Sequence, residues 1–82
     1  MKILKVFTAP WCGPCKAMQP ALDQLASEGL LVTKVDVDAN PAVAAIHGIR
    51  AVPTLKLYVD DNLMATKTGA MSLQQLRDFT KS

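Results

Sequence analysis

Cys12 and Cys15 are the chain's only cysteines, and they stand in the run Trp11-Cys12-Gly13-Pro14-Cys15-Lys16. If a helix begins near Gly13, this spacing puts both sulfurs on one side of its first turn. Their Cα atoms then fall within the ~4.4–6.8 Å that a disulfide requires. Cys12 stands at or just before the helix start, where free N–H groups and the helix dipole stabilise a thiolate. Such a setting lowers a cysteine pKa from ~8.5 towards 7. At pH 7 the thiolate fraction then rises from ~3% to about half. The weaker nucleophilicity of the less basic sulfur takes back roughly fivefold, so attack gains only about threefold. The larger benefit is a good leaving group, which lets exchange run both ways. Pro14 stiffens the link between the sulfurs and brings no donor of its own. These residues are equipped for reversible dithiol–disulfide exchange.

Three other readings use the same pair. As a structural staple, a ring this small gains only ~2 kcal/mol and ties together a single helical turn. As half of a zinc site it lacks a second pair of ligands, and His47 is the sole histidine. A metal shared across a dimer stays open on that count. As two inert core cysteines, the reading suits Cys15 better than Cys12, because Trp11 and Gly13 argue for an exposed loop.

The elements that must carry the pair follow from periodicity. Ile3–Thr8 reads as a strand, and Ala9-Pro10-Trp11 breaks it. From Gly13 to Glu28, Cys15, Met18, Leu22 and Leu25 recur at helical spacing, giving one apolar stripe. Pro20 predicts a kink in this helix, and Gly29 a stop. Leu30–Val37 reads as a second strand, apolar enough to be central. Asn40-Pro41 opens a short helix to His47, closed by Gly48. Pro53-Thr54 leads into the strand Leu55–Val59, Asp60-Asp61-Asn62 turns the chain, and Leu63–Thr68 returns antiparallel. Ser72 and Gln75 fit a capping box before the stripe Leu73, Leu76, Phe79. The order β-α-β-α-β-β-α describes one α/β domain over residues 1–82. It has a four-stranded mixed sheet with flanking helices, and its first two strands are parallel.

Composition sets further expectations. Half of the 82 residues are apolar and 20% are charged, which suits a dense core and argues against disorder. The net charge of +2 is scattered, and the four aromatics, Phe7, Trp11, Tyr58 and Phe79, do not interleave with basic residues. Nucleic-acid binding is therefore not expected. Lys5 interrupts the first apolar residues, so these residues are not expected to act as a secretory leader, and no stretch approaches the ~20 apolar residues of a membrane span. A cytoplasmic location and a monomer are the expectations. Trp11 reads as an exposed contact surface beside Cys12. Lys34 reads as a solvated strand lysine, with a part in tuning a cysteine pKa only if the family resemblance described below holds. Asp36 and Asp38 read as turn and cap residues, and His47 as a favourable charge at a helix end. Met18 and Met71 read as filler for core or groove.

The run from Trp11 to Lys16 resembles the active-site signature of thioredoxins. Ile49-Arg50-Ala51-Val52-Pro53-Thr54-Leu55 is similar to the thioredoxin loop that carries a cis-proline opposite the disulfide. Val35-Asp36-Val37-Asp38 with Asn40-Pro41, and Thr68-Gly69-Ala70, match in order and spacing. The resemblance covers nearly the whole chain. It implies a minimal thioredoxin fold without the N-terminal strand and helix of full-length members. It further implies that Cys12 is the nucleophile, that Cys15 is the resolving cysteine, and that Gly13 and Pro14 complete the active-site loop. Val52 and a cis Pro53 would bind an extended substrate segment, flanked by Trp11 and Gly69. Pro20 matches the family's kinking proline, and Lys34 its buried lysine beneath the active site. Val6 stands where many thioredoxins keep a buried aspartate, which leaves the Cys15 proton to water or to Lys34. Glutaredoxins, which the chain approaches in length, usually read Cys-Pro-aromatic-Cys and place threonine before Val-Pro, where this chain has Gly-Pro and Ala51.

The function so implied is reduction of protein disulfides. The partners would be disulfide-bearing proteins and a separate NADPH-dependent flavoprotein reductase, with no cofactor bound to this chain. The alternatives are a binding module of the same fold whose redox chemistry is incidental, and a glutaredoxin-like electron donor.

Overall fold

The computed structural model describes residues 1–81. The chain runs β1 (Lys2–Thr8), α1 (Gly13–Ser27), β2 (Leu31–Asp36), α2 (Pro41–Ile46), β3 (Thr54–Val59), β4 (Asn62–Thr68) and α3 (Leu73–Phe79). Both the order and the type of the elements agree with the periodicity. The four strands form one mixed sheet in the order β2-β1-β3-β4. β1 and β2 are parallel, whereas β3 runs antiparallel to both β1 and β4.

One expectation is corrected. The segment 30–37, predicted to be central, forms the outer edge, and β1 and β3 are the inner strands. An apolar run reports how its faces are covered, not which strand lies beside it. The difference is visible in burial: Leu4, Val6 and Phe7 of β1 are fully enclosed, while Leu31, Thr33 and Lys34 of β2 are exposed. The polar Thr33 and Lys34 suit an edge, where charge discourages pairing with another chain.

Alternation along the inner strands separates two faces. On one, Leu4 lies opposite Leu57 and Val6 opposite Leu55. This face packs on Met18, Leu22 and Leu25 of α1, together with Met71 and Leu76. Each such side chain, fully buried, contributes ~1.5–3 kcal/mol. On the other face, Ile3 lies opposite Tyr58, Lys5 opposite Lys56 and Phe7 opposite Thr54. On this side the Phe7 ring meets His47, at the exit of α2, at 5.0 Å between centroids.

Local chemistry fixes the ends of the elements. α1 begins at Cys12 as its N-cap with Pro14 in the first turn, and it continues through the exposed Pro20. α3 has the full capping box: Gln75 N–H donates to Ser72 Oγ at 3.2 Å, and Ser72 N–H to Gln75 Oε1 at 2.9 Å. Asp60 and Asp61 adopt positive φ of 50° and 69° between Val59 and Asn62, the geometry of a two-residue hairpin turn. Arg77 forks onto Glu28 at 2.6 and 2.7 Å and so ties α3 to the end of α1. That pair, and then the Gln24 side chain, hold the Glu28 carboxyl below its usual range.

Candidate active site

The C-terminal end of β1 delivers the chain into a tight turn, in which Cys12 N–H donates to the Ala9 carbonyl at 3.1 Å. α1 starts there, and the sulfurs of Cys12 and Cys15 are joined in a disulfide with Cα atoms 5.3 Å apart. Cys12 Sγ accepts a hydrogen bond from Cys15 N–H at 3.2 Å. Cys12 thus caps its own helix through sulfur, and the group that stabilises charge on that sulfur is one of the orphan N–H donors of the first turn. Both cysteines are buried, against Ala9, Val37 and Val52. Gly13 and Pro14 form the exposed bend between them.

Trp11 stands beside the pair and is 67% exposed. Its Nε1–H donates to Asp38 Oδ2 at 2.7 Å. Asp38 is held in turn, because its own N–H donates to Asp36 Oδ1 at 2.9 Å, as does Ala39 N–H at 3.2 Å. Asp36 therefore has the turn role expected from sequence. Asp38 does more than the sequence suggested: it anchors an indole 27 positions away. No local pattern encodes that contact, since only the β1–β2 pairing brings the two turns together.

The loop 49–53 approaches from the other side. The Val52–Pro53 peptide bond is cis, and Pro53 is buried. Gly69 N–H donates to the Pro53 carbonyl at 2.8 Å, with Gly69 at φ 103°, a conformation that favours glycine. Thr54 Oγ donates to the Ala51 carbonyl at 2.7 Å. Val52 contacts the disulfide cluster. An apolar depression of about 120 Å³ lies among Trp11, Val37, Ile49, Arg50, Ala51 and Val52. Arg50 is a member of this site that sequence reasoning quoted only as part of a motif. A larger hollow of about 420 Å³ opens beneath the other side of the pair, where Cys15 and Asp36 share the wall with Thr8 and Gln19.

Trp11, Cys12, Gly13, Pro14, Cys15, Val52, Pro53 and Gly69 thus gather at one end of the sheet. Lys34 does not join them. The resemblance implied a buried lysine, but Lys34 is exposed on the edge strand β2, opposite Val6 in the ladder. With β2 outermost, no strand among the described residues lies beyond Lys34. His47 keeps its helix-end place without the expected charge. The cation at the exit of α2 is Lys56, whose Nζ donates to the His47 carbonyl at 3.2 Å. His47 is the C-cap of α2, as the sequence placed it, while burial, then Lys56 and Lys5, hold its ring below its ordinary pKa and so disfavour the charged form. Met18 and Met71 belong to the core.

The comparisons with known proteins agree with this geometry. The family model "Thioredoxin" matches residues 1–82. The thioredoxin of Buchnera aphidicola subsp. Baizongia pistaciae is 44% identical over 80 residues, covering 94% of this chain and 73% of that protein. That of Haemophilus influenzae is 45% identical over 80 residues, covering 94% and 75%. A solved mutant thioredoxin from Halobacterium salinarum superposes with a TM-score of 0.92 at 37% identity, covering 98% of this chain and 72% of that one. Among the described residues no helix is long and apolar enough to cross a membrane.

Proposed function

Because this chain belongs to the thioredoxin family, and so is a thiol–disulfide oxidoreductase that reduces protein disulfides, we propose that Cys12 is its nucleophile and Cys15 its resolving cysteine. Its partners are, in general terms, disulfide-bearing substrates and a reductase. The observation that carries the assignment is the Cys12–Cys15 disulfide at the start of α1, with Cys12 Sγ on a helix N–H.

In the reduced protein the Cys12 thiolate attacks one sulfur of a substrate disulfide. That bond breaks, its other sulfur leaves as a thiolate and takes a proton, and a mixed disulfide remains on Cys12. Cys15 loses its proton and attacks Cys12 Sγ, which releases the second substrate thiol and closes the pair. Two electrons have then passed from the dithiol to the substrate. The Cys15 proton goes to water, which the hollow beside Cys15 has room to hold. Lys34, exposed on β2, influences it at most across solvent.

The substrate segment lies in the depression between Trp11 and Val52. Among the described residues no hydrogen bond engages the Val52 backbone, so its N–H and C=O are free for an extended strand. Electrons return from a separate flavoprotein fed by NADPH, with no cofactor on this chain. We place the reaction in the cytoplasm, where dithiols are kept reduced, and assign it to a monomer.

The test is reduction of insulin disulfides with dithiothreitol as electron source, followed by turbidity. Cys12→Ser is expected to lose activity to the uncatalysed rate, and retained activity would overturn the nucleophile assignment. Cys15→Ser is expected to accumulate covalent mixed disulfides with substrate proteins. These would be read as bands that vanish on reduction in an electrophoretic gel.

A further inference from the structure

The face of the sheet that carries α2 holds charge with no opposite partner. Lys5 and Lys56 are directly opposed in the β1–β3 ladder, and both are half-buried. Like charges in that relation destabilise a sheet, and partial burial of an ammonium adds to the cost. Among the described residues neither lysine has a carboxylate within ion-pair reach. Lys5 Nζ lies 5.4 Å from the centre of the Tyr58 ring. Lys56 Nζ lies 5.9 Å from that of Phe7 and 3.4 Å from His47 Nδ1. Among the described residues, two lysines and an imidazole therefore share one region with no acid in ion-pair reach.

A cavity of about 410 Å³ opens there, with His47, Arg50, Lys56, Thr66 and Thr68 in its wall. The ladder explains the hydroxyls: Thr66 is opposite Lys56 and Thr68 opposite Thr54, so all four point to the same face. Arg50, with Ile49 and Ala51, lines both this cavity and the apolar depression beside the disulfide. The cationic cavity is thus a continuation of the docking groove. An occupant that neutralises Lys56 and Arg50 and accepts from the threonine hydroxyls would remove the electrostatic cost.

We propose that this cavity is an acidic subsite: it takes the side-chain carboxylate of an aspartate or glutamate on the substrate protein, on the segment docked along residues 49–52. The inference rests on the disulfide-reductase reading and assigns a substrate class to it. The occupant is a protein carboxylate because the groove already holds the substrate polypeptide, and the charge must reach the cavity from that segment.

The probes are synthetic peptide disulfides in which one glutamate is moved stepwise along the sequence flanking the reactive cysteine, each with a glutamine twin. The glutamate-to-glutamine ratio of kcat/KM is measured within each protein variant, so any general change in activity cancels. At one register the wild type is expected to favour glutamate by about tenfold at low salt. The ratio falls to near unity in Lys56→Met and in Lys56→Gln, and Lys56→Arg restores it. A ratio of one at every register overturns the subsite, as does a ratio that survives both Lys56 substitutions. A stronger preference for phosphoserine than for glutamate at all registers overturns the carboxylate assignment. Reduction of the glutamine peptides and of insulin reports separately on the reductase reading. If the wild type reduces neither, the same twins are titrated against the Cys12→Ser/Cys15→Ser double variant, followed by the amide resonances of residues 47–56. Equal affinities there overturn the subsite, and tighter glutamate binding upholds it.

Discussion

The two faces of the sheet are built to different rules. Under α1 and α3, Leu4, Val6, Leu55 and Leu57 are all at most 1% exposed, and Leu4, Val6 and Leu55 share one apolar cluster with Met18, Leu22, Leu25, Met71 and Leu76. Across the same backbone, residues one step along each strand are Ile3, Lys5, Phe7, Thr54, Lys56 and Tyr58. The first face has the composition of a core, with every position contributing to stability. The second has aromatic rings next to ammonium groups, and it leaves polar atoms facing a cavity. An 82-residue domain with few strands has little apolar area to spare. A half-buried lysine pair in such a domain marks a surface kept for recognition, not for cohesion.

The contrast can be broken by substitutions on either side. Leu55→Ala, on the dry face, is expected to cost ~2–5 kcal/mol, measured as a lower urea midpoint with an unchanged slope. A loss under 1 kcal/mol on that face would dissolve the distinction. On the other face the sign reverses. Lys5→Met removes one of two opposed charges and is expected to raise stability by ~0.2–1 kcal/mol in the same assay. Destabilisation there would mean that the Lys5–Tyr58 contact outweighs the repulsion.

The smallest effect is a pH dependence. The folded protein holds His47 below its ordinary pKa, so below neutrality the unfolded chain binds more protons than the folded one. Stability is therefore expected to fall as pH drops from about 7 through the ordinary histidine range, until the folded-state ring is also protonated. His47→Gln should flatten that part of the profile, which thermal unfolding across the pH series would reveal.

Most of the fold was legible because its signals are local. The stripe Cys15, Met18, Leu22, Leu25 needs only helical spacing, the Ser72–Gln75 box only one turn, and the Asp60-Asp61 hairpin only its neighbours. The cysteine pair was legible for the same reason, whereas the parts of Pro53 and Gly69 were implied only by the family resemblance. What escaped depends on contacts distant in sequence. Strand neighbourhood is not written in a strand, so an apolar segment was expected in the middle and lies at the edge. Asp38 looked like a turn residue because its second role, holding Trp11, exists only once β1 and β2 are paired. Nothing local links Lys5 to Lys56, and only the antiparallel register sets them opposite one another.

Trp11 is the only tryptophan in the chain, and it is exposed, tethered to a carboxylate and adjacent to Cys12. A disulfide is an efficient quencher of an excited indole at short range, and a dithiol is a weaker one. The protein therefore carries its own optical gauge. Its emission is expected to brighten when the pair opens and to dim when it closes, which fluorescence read before and after dithiothreitol would check without a dye or a coupled enzyme.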